Sequence, residues 1–95
     1  MRFEWDPNKA ALNEEKHGVS FREASTVFAD AKARIHDDPD HSIIERREII
    51  VGHSVVHGIL LVVFTQRGDA VRIISARRAS RKERRKYEED SKIRS

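Results

Sequence analysis

The chain has 95 residues, of which 37% are charged and none is cysteine. This length allows one small domain with a modest core, and the absence of cysteine excludes disulfides, thiolate metal sites and a cysteine nucleophile. Charge is unevenly divided, because residues 67–95 hold eleven Lys/Arg against five Asp/Glu, whereas residues 1–66 hold eight against eleven. A basic C-terminal third predicts contact with a polyanion or an acidic protein partner.

The first third of the chain predicts a short edge strand, MRFEW, followed by a helix. Asp6 before Pro7 is typical of a helix start, and Gly18 is typical of a left-handed C-cap. We therefore expect a helix from Pro7 to about Lys16. Its candidate inward-facing residues are Ala11 and Leu12.

A second helix is predicted to begin directly after Gly18. Ser20 and Glu23 have the spacing of a capping box, in which each side chain bonds the backbone amide of the other. Apolar residues then recur at helical spacing. This stripe consists of Phe21, Ala24, Val27 and Phe28.

The middle of the chain predicts strands. ARIHDD is a candidate short strand, and EIIVGHS, ILLVVFT and AVRIISA form a three-strand antiparallel meander with short loops. ILLVVFT is apolar at every position but the last, so it should be a central strand covered on both faces. Gly52 inside EIIVGHS suggests a bulge, and Gly68 is the natural pivot of the last turn.

A basic helix is predicted at the C-terminus, where Ser80 and Glu83 form a second capping box. The segment RRASRKERRK holds seven basic residues against one acid, Glu83. Cations near a helix N-terminus oppose the helix dipole, which favours a binding role; the alternative is a solvated helix with ion pairs to Glu83. Tyr87 is predicted to anchor this helix to the sheet, and Trp5 to pack on the core.

These elements predict an α+β fold over residues 1–95 as a single domain, with two N-terminal helices packed on an antiparallel β-sheet and a C-terminal basic helix. The longest apolar run, GILLVVF, is too short to span a membrane, and the N-terminus has no signal-peptide pattern. We expect a cytoplasmic protein that makes no membrane contact.

The five histidines do not have the spacing of a metal site, so neither a metal nor another cofactor is expected. His53 and His57 flank a predicted hairpin, where their proximity is best explained as incidental. The histidines are His17, His36, His41, His53 and His57.

Arginines on and beside the predicted strands have two interpretations. They are Arg47, Arg67, Arg72 and Arg77. Hairpin pairing can bring several of them onto one face as a polyanion cradle, for which the forked guanidinium is suited. The alternative is ordinary cross-strand ion pairing, which contributes little at a surface.

Two separated motifs carry a resemblance to a known family. WDxxKxxxNxxKHGxSFxEAxxVFxD and RIISARxAxxxERxxYE occur in that order, and together the chain resembles the BrnT family of bacterial type II toxins from Phe3 to Glu89. The resemblance implies a RelE-like toxin that cleaves RNA and arrests translation. It also implies a BrnA-type antitoxin partner in a 2:2 heterotetramer, which binds promoter DNA only through the antitoxin.

The family pattern gives functional weight to Glu45, Arg67 and Arg77, and Lys16 and His17 match its KHG motif. RNA supplies its own nucleophile, the 2′-OH, so the protein must accept a proton and stabilise phosphate charge. Arg67 and Arg77 suit charge stabilisation, and Glu45 is the candidate base.

His17 and His41 are candidates for acid or base, since an ordinary histidine titrates near neutrality. The structural alternatives are that Glu45 pairs with an arginine and that His17 only ends a helix. The predicted RNA-binding residues are Lys16, Arg47, Arg72, Arg78, Arg81, Arg84 and Arg85.

Two other function classes stay open on the sequence. One is a non-catalytic nucleic-acid-binding module, whose basic helix contacts phosphates without cleavage. The other is a protein-interaction module, whose basic surface docks an acidic partner. RNA cleavage separates the toxin from the first, and RNA binding separates it from the second.

Overall fold

The computed structural model describes residues 1–39 and 46–94. In these two ranges the elements follow the order β1 (Arg2–Glu4), α1 (Pro7–His17), α2 (Phe21–Thr26), β2 (Arg34–Asp37), β3 (Glu48–His53), β4 (Ile59–Arg67), β5 (Ala70–Arg78) and α3 (Arg81–Arg94). A 3₁₀ turn, Val27–Ala29, extends α2. The predicted α+β class is confirmed, with all five strands in one sheet of order β1-β5-β4-β3-β2.

The predicted meander is confirmed, because β3, β4 and β5 pair antiparallel in sequence order. The expectation of a wholly antiparallel sheet is wrong at one edge, where β1 pairs parallel with β5. Phe3 lies opposite Val71 in this register and packs against the core. Because α1 and α2 separate β1 from the other strands, β1 joins the sheet beside the last strand rather than by a hairpin.

The central strand β4 is covered on both faces, as predicted. Leu60, Val62 and Phe64 belong to the core that includes α2 residues, whereas Ile59 and Leu61 pack with Tyr87 of α3. Alternate residues of a strand point to opposite faces, so β4 is buried between α2 on one side and α3 on the other. The sheet therefore has a helix-covered face on which α3 and its cations lie.

The inward face of α1 differs from the prediction. Ala11 is exposed and Leu12 is 65% exposed, whereas Asn13 is buried. The Asn13 amide donates to the carbonyl of Ala76 at 2.9 Å, and its Oδ1 accepts from the Ala76 amide at 3.1 Å. Asn13 therefore satisfies the backbone of β5 where α1 crosses it, which hydrophobicity alone did not indicate.

Gly52 lies in a regular part of β3, so the predicted bulge is wrong. It pairs directly with Leu60, and the register shift of the sheet falls instead between Val63 and Phe64, in the β4–β5 ladder. A Cβ on residue 52 would lie 2.9 Å from the Cβ of Ala33 and 3.0 Å from Oδ2 of Asp30. Glycine is required there because the segment after α2 crosses β3 closely.

The predicted helix and turn signals agree with the structure. Asp6 accepts from the amide of Asn8 at 2.8 Å, and Gly18 ends α1 with φ 70°. Gly68 has φ 60° at the first position of the two-residue β4–β5 loop, where type II′ turns place glycine. These local signals set the ends of the elements that carry the candidate site.

Candidate active site

The junction between β5 and α3 is held by an arginine–glutamate fork. Nη1 and Nη2 of Arg77 donate to the two carboxylate oxygens of Glu83 at 2.8 and 2.9 Å. The predicted capping box is complete, since Ser80 N donates to Glu83 Oε1 at 2.8 Å and Glu83 N donates to Ser80 Oγ at 3.1 Å. Glu83 therefore starts α3 and ties it to the end of β5.

This fork strongly favours the ionised form of Glu83. The hydrogen bonds from Arg77 lower the pKa of Glu83 from 4.5 to about 2, and the Ser80 amide adds to this effect against the opposing effect of burial. The same contact raises the pKa of Arg77. Arg77 also donates from Nη1 to the carbonyl of Arg78 at 3.3 Å, so three of its five N–H groups bond within the protein.

The middle of α3 is anchored to the sheet by Tyr87, as predicted. Tyr87 is buried, donates to Oδ2 of Asp30 at 2.6 Å and meets the ring of His53 edge-on at 5.6 Å. Burial opposes ionisation of Asp30, but the hydrogen bonds from Tyr87, His53 N and Lys32 N outweigh it and hold the pKa of Asp30 below its ordinary value. This anchor fixes where the cations of α3 lie.

Two concave surfaces border α3 and are lined by different residues of this helix. The larger, of about 680 Å³, includes Arg34, Leu61 and Arg85, and Arg34 also forms an ion pair with Asp90. The smaller, of about 370 Å³, lies between the β3–β4 loop and α3. We call it the histidine cleft, and it is lined by His53, His57, Gly58, Ile59, Arg78, Ala79, Arg84 and Glu88.

The histidine cleft combines cations with imidazoles. Arg78 and Arg84 are exposed, and neither forms a salt bridge within the described ranges. Glu88 is the acidic residue of the lining, so two arginines face one carboxylate. Guanidinium groups donate paired hydrogen bonds to phosphate, and imidazoles transfer protons near neutral pH. The cleft therefore has the groups that phosphodiester chemistry needs.

The contact between Glu23 and His57, at one wall of the cleft, was not predicted from the sequence. Nδ1 of His57 lies 2.6 Å from Oε1 of Glu23, although the sequence suggested that His57 was incidental and that Glu23 served a capping box. Only half of that box forms, since Ser20 Oγ accepts from Glu23 N at 3.0 Å while the Glu23 carboxylate turns to the β3–β4 loop. No local pattern in the sequence signals this contact, and it is the structure that shows Glu23 buried in α2 with Phe21 and Ala24.

Other predicted residues lie at the far end of the β4–β5 hairpin. Arg77 is opposite Leu61, whereas Arg67 is opposite Ala70. Leu61 and Arg67 are six residue steps apart along β4, which is about 20 Å at roughly 3.3 Å per residue. Arg72 bonds Glu4 at 3.3 Å. The structure thus does not bring Arg67 and Arg77 to one phosphate.

The remaining predicted residues are dispersed. Lys16 and His17 are the last residues of α1, Arg47 precedes β3 and accepts at its carbonyl from Asp38 N at 3.0 Å, and Arg81 is exposed at the start of α3. Glu45 and His41 lie outside the described residues.

Trp5 packs on the core, with its ring 6.1 Å from that of Phe21, as predicted.

Comparison with known proteins decides the family. A sequence profile described as "Ribonuclease toxin, BrnT, of type II toxin-antitoxin system" matches residues 5–83. The chain belongs to the BrnT family. The match includes α1, α2, the whole meander and the Arg77–Glu83 fork. The chain is therefore a member of a family of ribonuclease toxins from type II toxin–antitoxin systems, and membership implies an antitoxin partner.

The fold agrees with a solved BrnT structure. The crystal structure of the Brucella abortus ribonuclease toxin BrnT, determined at 1.1 Å resolution, matches with a TM-score of 0.67 at 26% sequence identity. The match covers 85% of this chain and 99% of the Brucella chain. A search of curated proteins found no significant match.

Two further observations on this BrnT-family chain concern membrane-spanning helices and metal ligands. None of the helices in the described ranges is long and apolar enough to cross a membrane. Across the same residues, no three His, Asp or Glu side chains converge as ligands of a metal ion.

Proposed function

We propose that this BrnT-family toxin is a metal-independent endoribonuclease of the RelE-like kind, which cleaves RNA by attack of a 2′-OH on the adjacent phosphate. The family description supports ribonuclease activity in general. The observation that carries the proposal is the histidine cleft, where Arg78 and Arg84 share one surface with His53 and His57. Such a site can bind a phosphate, stabilise its developing charge and exchange protons.

The predicted residues take different roles in this proposal. Arg78 and Arg84 of the cleft bind the phosphate, and Arg77, next to Arg78 at the end of β5, adds to the stabilisation of its charge. Arg67, about 20 Å away along β4, binds the RNA strand at a distance from the reaction. Glu45 stays a candidate base, and His17 a candidate acid or base, on the strength of the family pattern. RNA binding is assigned to Lys16, Arg47, Arg72, Arg78, Arg81, Arg84 and Arg85.

The test is cleavage of RNA by purified toxin in the presence of EDTA, with analysis of the product ends. We expect fragments with a 2′,3′-cyclic phosphate and a 5′-hydroxyl, because the 2′-oxygen displaces the 5′-oxygen. Tight, salt-dependent RNA binding without any cleavage would instead identify a non-catalytic nucleic-acid-binding module.

Arg77 needs a matched control because it also holds Glu83. Arg77→Ala removes both the guanidinium and the fork, whereas Glu83→Gln breaks the ion pair and keeps the guanidinium. If Arg77 stabilises the phosphate, Arg77→Ala should lose cleavage and Glu83→Gln should retain most of it. Equal losses in the two variants would mean that Arg77 acts only through the position of α3.

The physiological role is proposed from the family. Cleavage of RNA in the cytoplasm would arrest translation, and a BrnA-type antitoxin would neutralise the toxin in a 2:2 complex that binds promoter DNA through the antitoxin. The toxin should therefore co-purify with the product of an adjacent open reading frame, at the mass of a heterotetramer by light scattering. Loss of RNA cleavage on adding that partner would support neutralisation, and undiminished cleavage in the complex would contradict it.

A further inference from the structure

A buried carboxylate holds the histidine that lines the cleft. Glu23 is 7% exposed, and its Oε1 lies 2.6 Å from Nδ1 of His57. Its Oε2 accepts from the backbone amide of His57 at 2.9 Å and lies 2.9 Å from the hydroxyl of Ser54. The ring of His57 is thus fixed by α2, although it belongs to the β3–β4 loop.

This contact decides which ring nitrogen carries the proton. A carboxylate accepts hydrogen bonds, so Nδ1 donates to Glu23, and in the neutral ring Nε2 is then an acceptor. No hydrogen bond to Nε2 is found from any residue in the described parts of the chain. The His57 side chain is 29% exposed and lines the cleft, so Nε2 is available to a ligand there.

Charged or titratable groups approach the cleft around His57 from every element that lines it except β4, which contributes Ile59. Glu23 approaches from α2, His53 from β3, Arg78 from β5, and Arg84 and Glu88 from α3. A phosphodiester held by Arg78 and Arg84 would lie beside the imidazole. The arrangement resembles the general pattern in which an acid residue fixes the tautomer of a histidine that exchanges a proton with the substrate.

We propose that His57 is the general base of RNA cleavage in this cleft and that Glu23 is its positioning residue. This rests on the proposed ribonuclease function and deepens it. Nε2 takes the proton of the 2′-OH as the 2′-oxygen forms its bond to phosphorus, and the bond from phosphorus to the 5′-oxygen breaks. The departing 5′-oxygen takes a proton from solvent, and Glu23 stabilises the imidazolium until His57 returns its proton to water.

The competing role for these residues is structural. Glu23 connects α2 to the loop 54–58, and Ser54 closes that loop through its amide to the Gly58 carbonyl at 2.8 Å. A purely structural contact would contribute to folding stability and to the shape of the cleft, and it would not require the Nε2 atom of His57. The test must therefore remove Nε2 and retain the bond to Glu23.

The variant His57→Asn removes Nε2 and can retain the hydrogen bond to Glu23. The amide nitrogen of asparagine is three bonds from Cα, as Nδ1 of histidine is, so it can still donate to Glu23, but it has no equivalent of Nε2. We expect its kcat to fall by about 100-fold or more, with KM for RNA and the melting temperature unchanged. His36→Asn on the edge strand β2 is the control, and it should cleave at the wild-type rate.

Two further variants keep the proposal testable. Glu23→Gln should lower kcat by about tenfold or more at unchanged KM, because the ring can then adopt the wrong tautomer. If His57→Asn is unstable, His57→Ala with added imidazole decides: recovery of cleavage supports a proton-transfer role, and no recovery overturns it.

All assays contain EDTA and the same RNA, and the wild type separates the two hypotheses. A wild type that cleaves nothing refutes the ribonuclease proposal and this one with it. A wild type that cleaves, together with His57→Asn that cleaves equally well, refutes the role of His57 and leaves the ribonuclease proposal standing.

Discussion

Arginines occupy both ends of the β4–β5 hairpin, and their surroundings differ. At the loop end, Arg2 pairs with Asp69 at 2.9 Å with both side chains largely exposed, and Arg72 pairs with Glu4 at 3.3 Å. At the α3 end, Arg77 forms a two-bond fork with Glu83, and Arg78 faces the histidine cleft. The packing of α3 thus separates arginines that only form ion pairs on the surface from Arg78, which lies in a cleft with two imidazoles.

The largest difference between the two ends should appear in activity. Replacing both Arg78 and Arg84 by Gln should lower kcat/KM for RNA by about 100-fold or more, since each hydrogen bond to a charged group contributes about 1.5–3 kcal/mol. The matched double variant at the loop end, Arg67→Gln with Arg72→Gln, should lose less than about tenfold. Both variants are measured at one salt concentration with EDTA. Equal losses of kcat/KM would show that the arginines at the two ends of the hairpin do not differ in their contribution to cleavage.

A second difference concerns stability. Arg77→Ala and Glu83→Gln should each lower the free energy of unfolding by on the order of 1–2 kcal/mol, a value discounted for the partial exposure of the pair. The double variant should lose about as much as one single variant, because both remove the same fork. Arg2→Ala at the loop end should change it by less than about 0.5 kcal/mol. Urea unfolding checks these values, and additive losses at the fork would contradict the account.

The fork should also give stability a pH dependence. Because the pKa of Glu83 in the folded state is about 2, below its ordinary value of 4.5, its contribution is complete above about pH 4.5 and is lost as pH falls towards 2. The stability difference between wild type and Glu83→Gln should therefore be constant near neutrality and shrink through this window. If the stability difference between wild type and Glu83→Gln instead grows on acidification, the fork is not the cause of the pH dependence.

The smallest expected effect concerns the exposed cations of α3 outside the histidine cleft. Replacing Arg81 and Arg85 by Gln should lower the slope of log affinity for single-stranded RNA against log salt by about 0.7 per charge. Cleavage at saturating RNA should be unchanged, since these side chains do not line the cleft. A fall in kcat at saturation would extend the catalytic region beyond the cleft.

Local sequence signals predicted the parts of the fold that depend on neighbouring residues. The Asp6 and Ser80 caps, the Gly18 and Gly68 turns and the meander needed only short-range patterns, and all are present. The anchor at Tyr87 was also predictable, because α3 has few other apolar residues. Membership of the BrnT family followed from the two motifs.

The candidate site depends on contacts that no local pattern encodes. Glu23 and His57 are separated by 34 positions, and the role of Asn13 required knowing where α1 crosses β5. Hydrophobicity predicted that Leu12 faces inward, but α1 instead directs the side-chain amide of Asn13 towards the sheet. Likewise, residue 52 must be glycine because residues 30–33 pass close to β3 there. In the sequence, a glycine within a strand indicates a bulge instead.

Whether RNA binds in the histidine cleft is tested most directly by mapping the bound RNA on the toxin by NMR. An oligonucleotide in which 2′-deoxyribose replaces ribose cannot be cleaved by 2′-OH attack, so the complex persists. We expect the largest amide shift changes at the histidine cleft, in Gly58, Ala79 and Arg84. Largest changes at the loop end, around Arg67 and Arg72, with the cleft unaffected would contradict it.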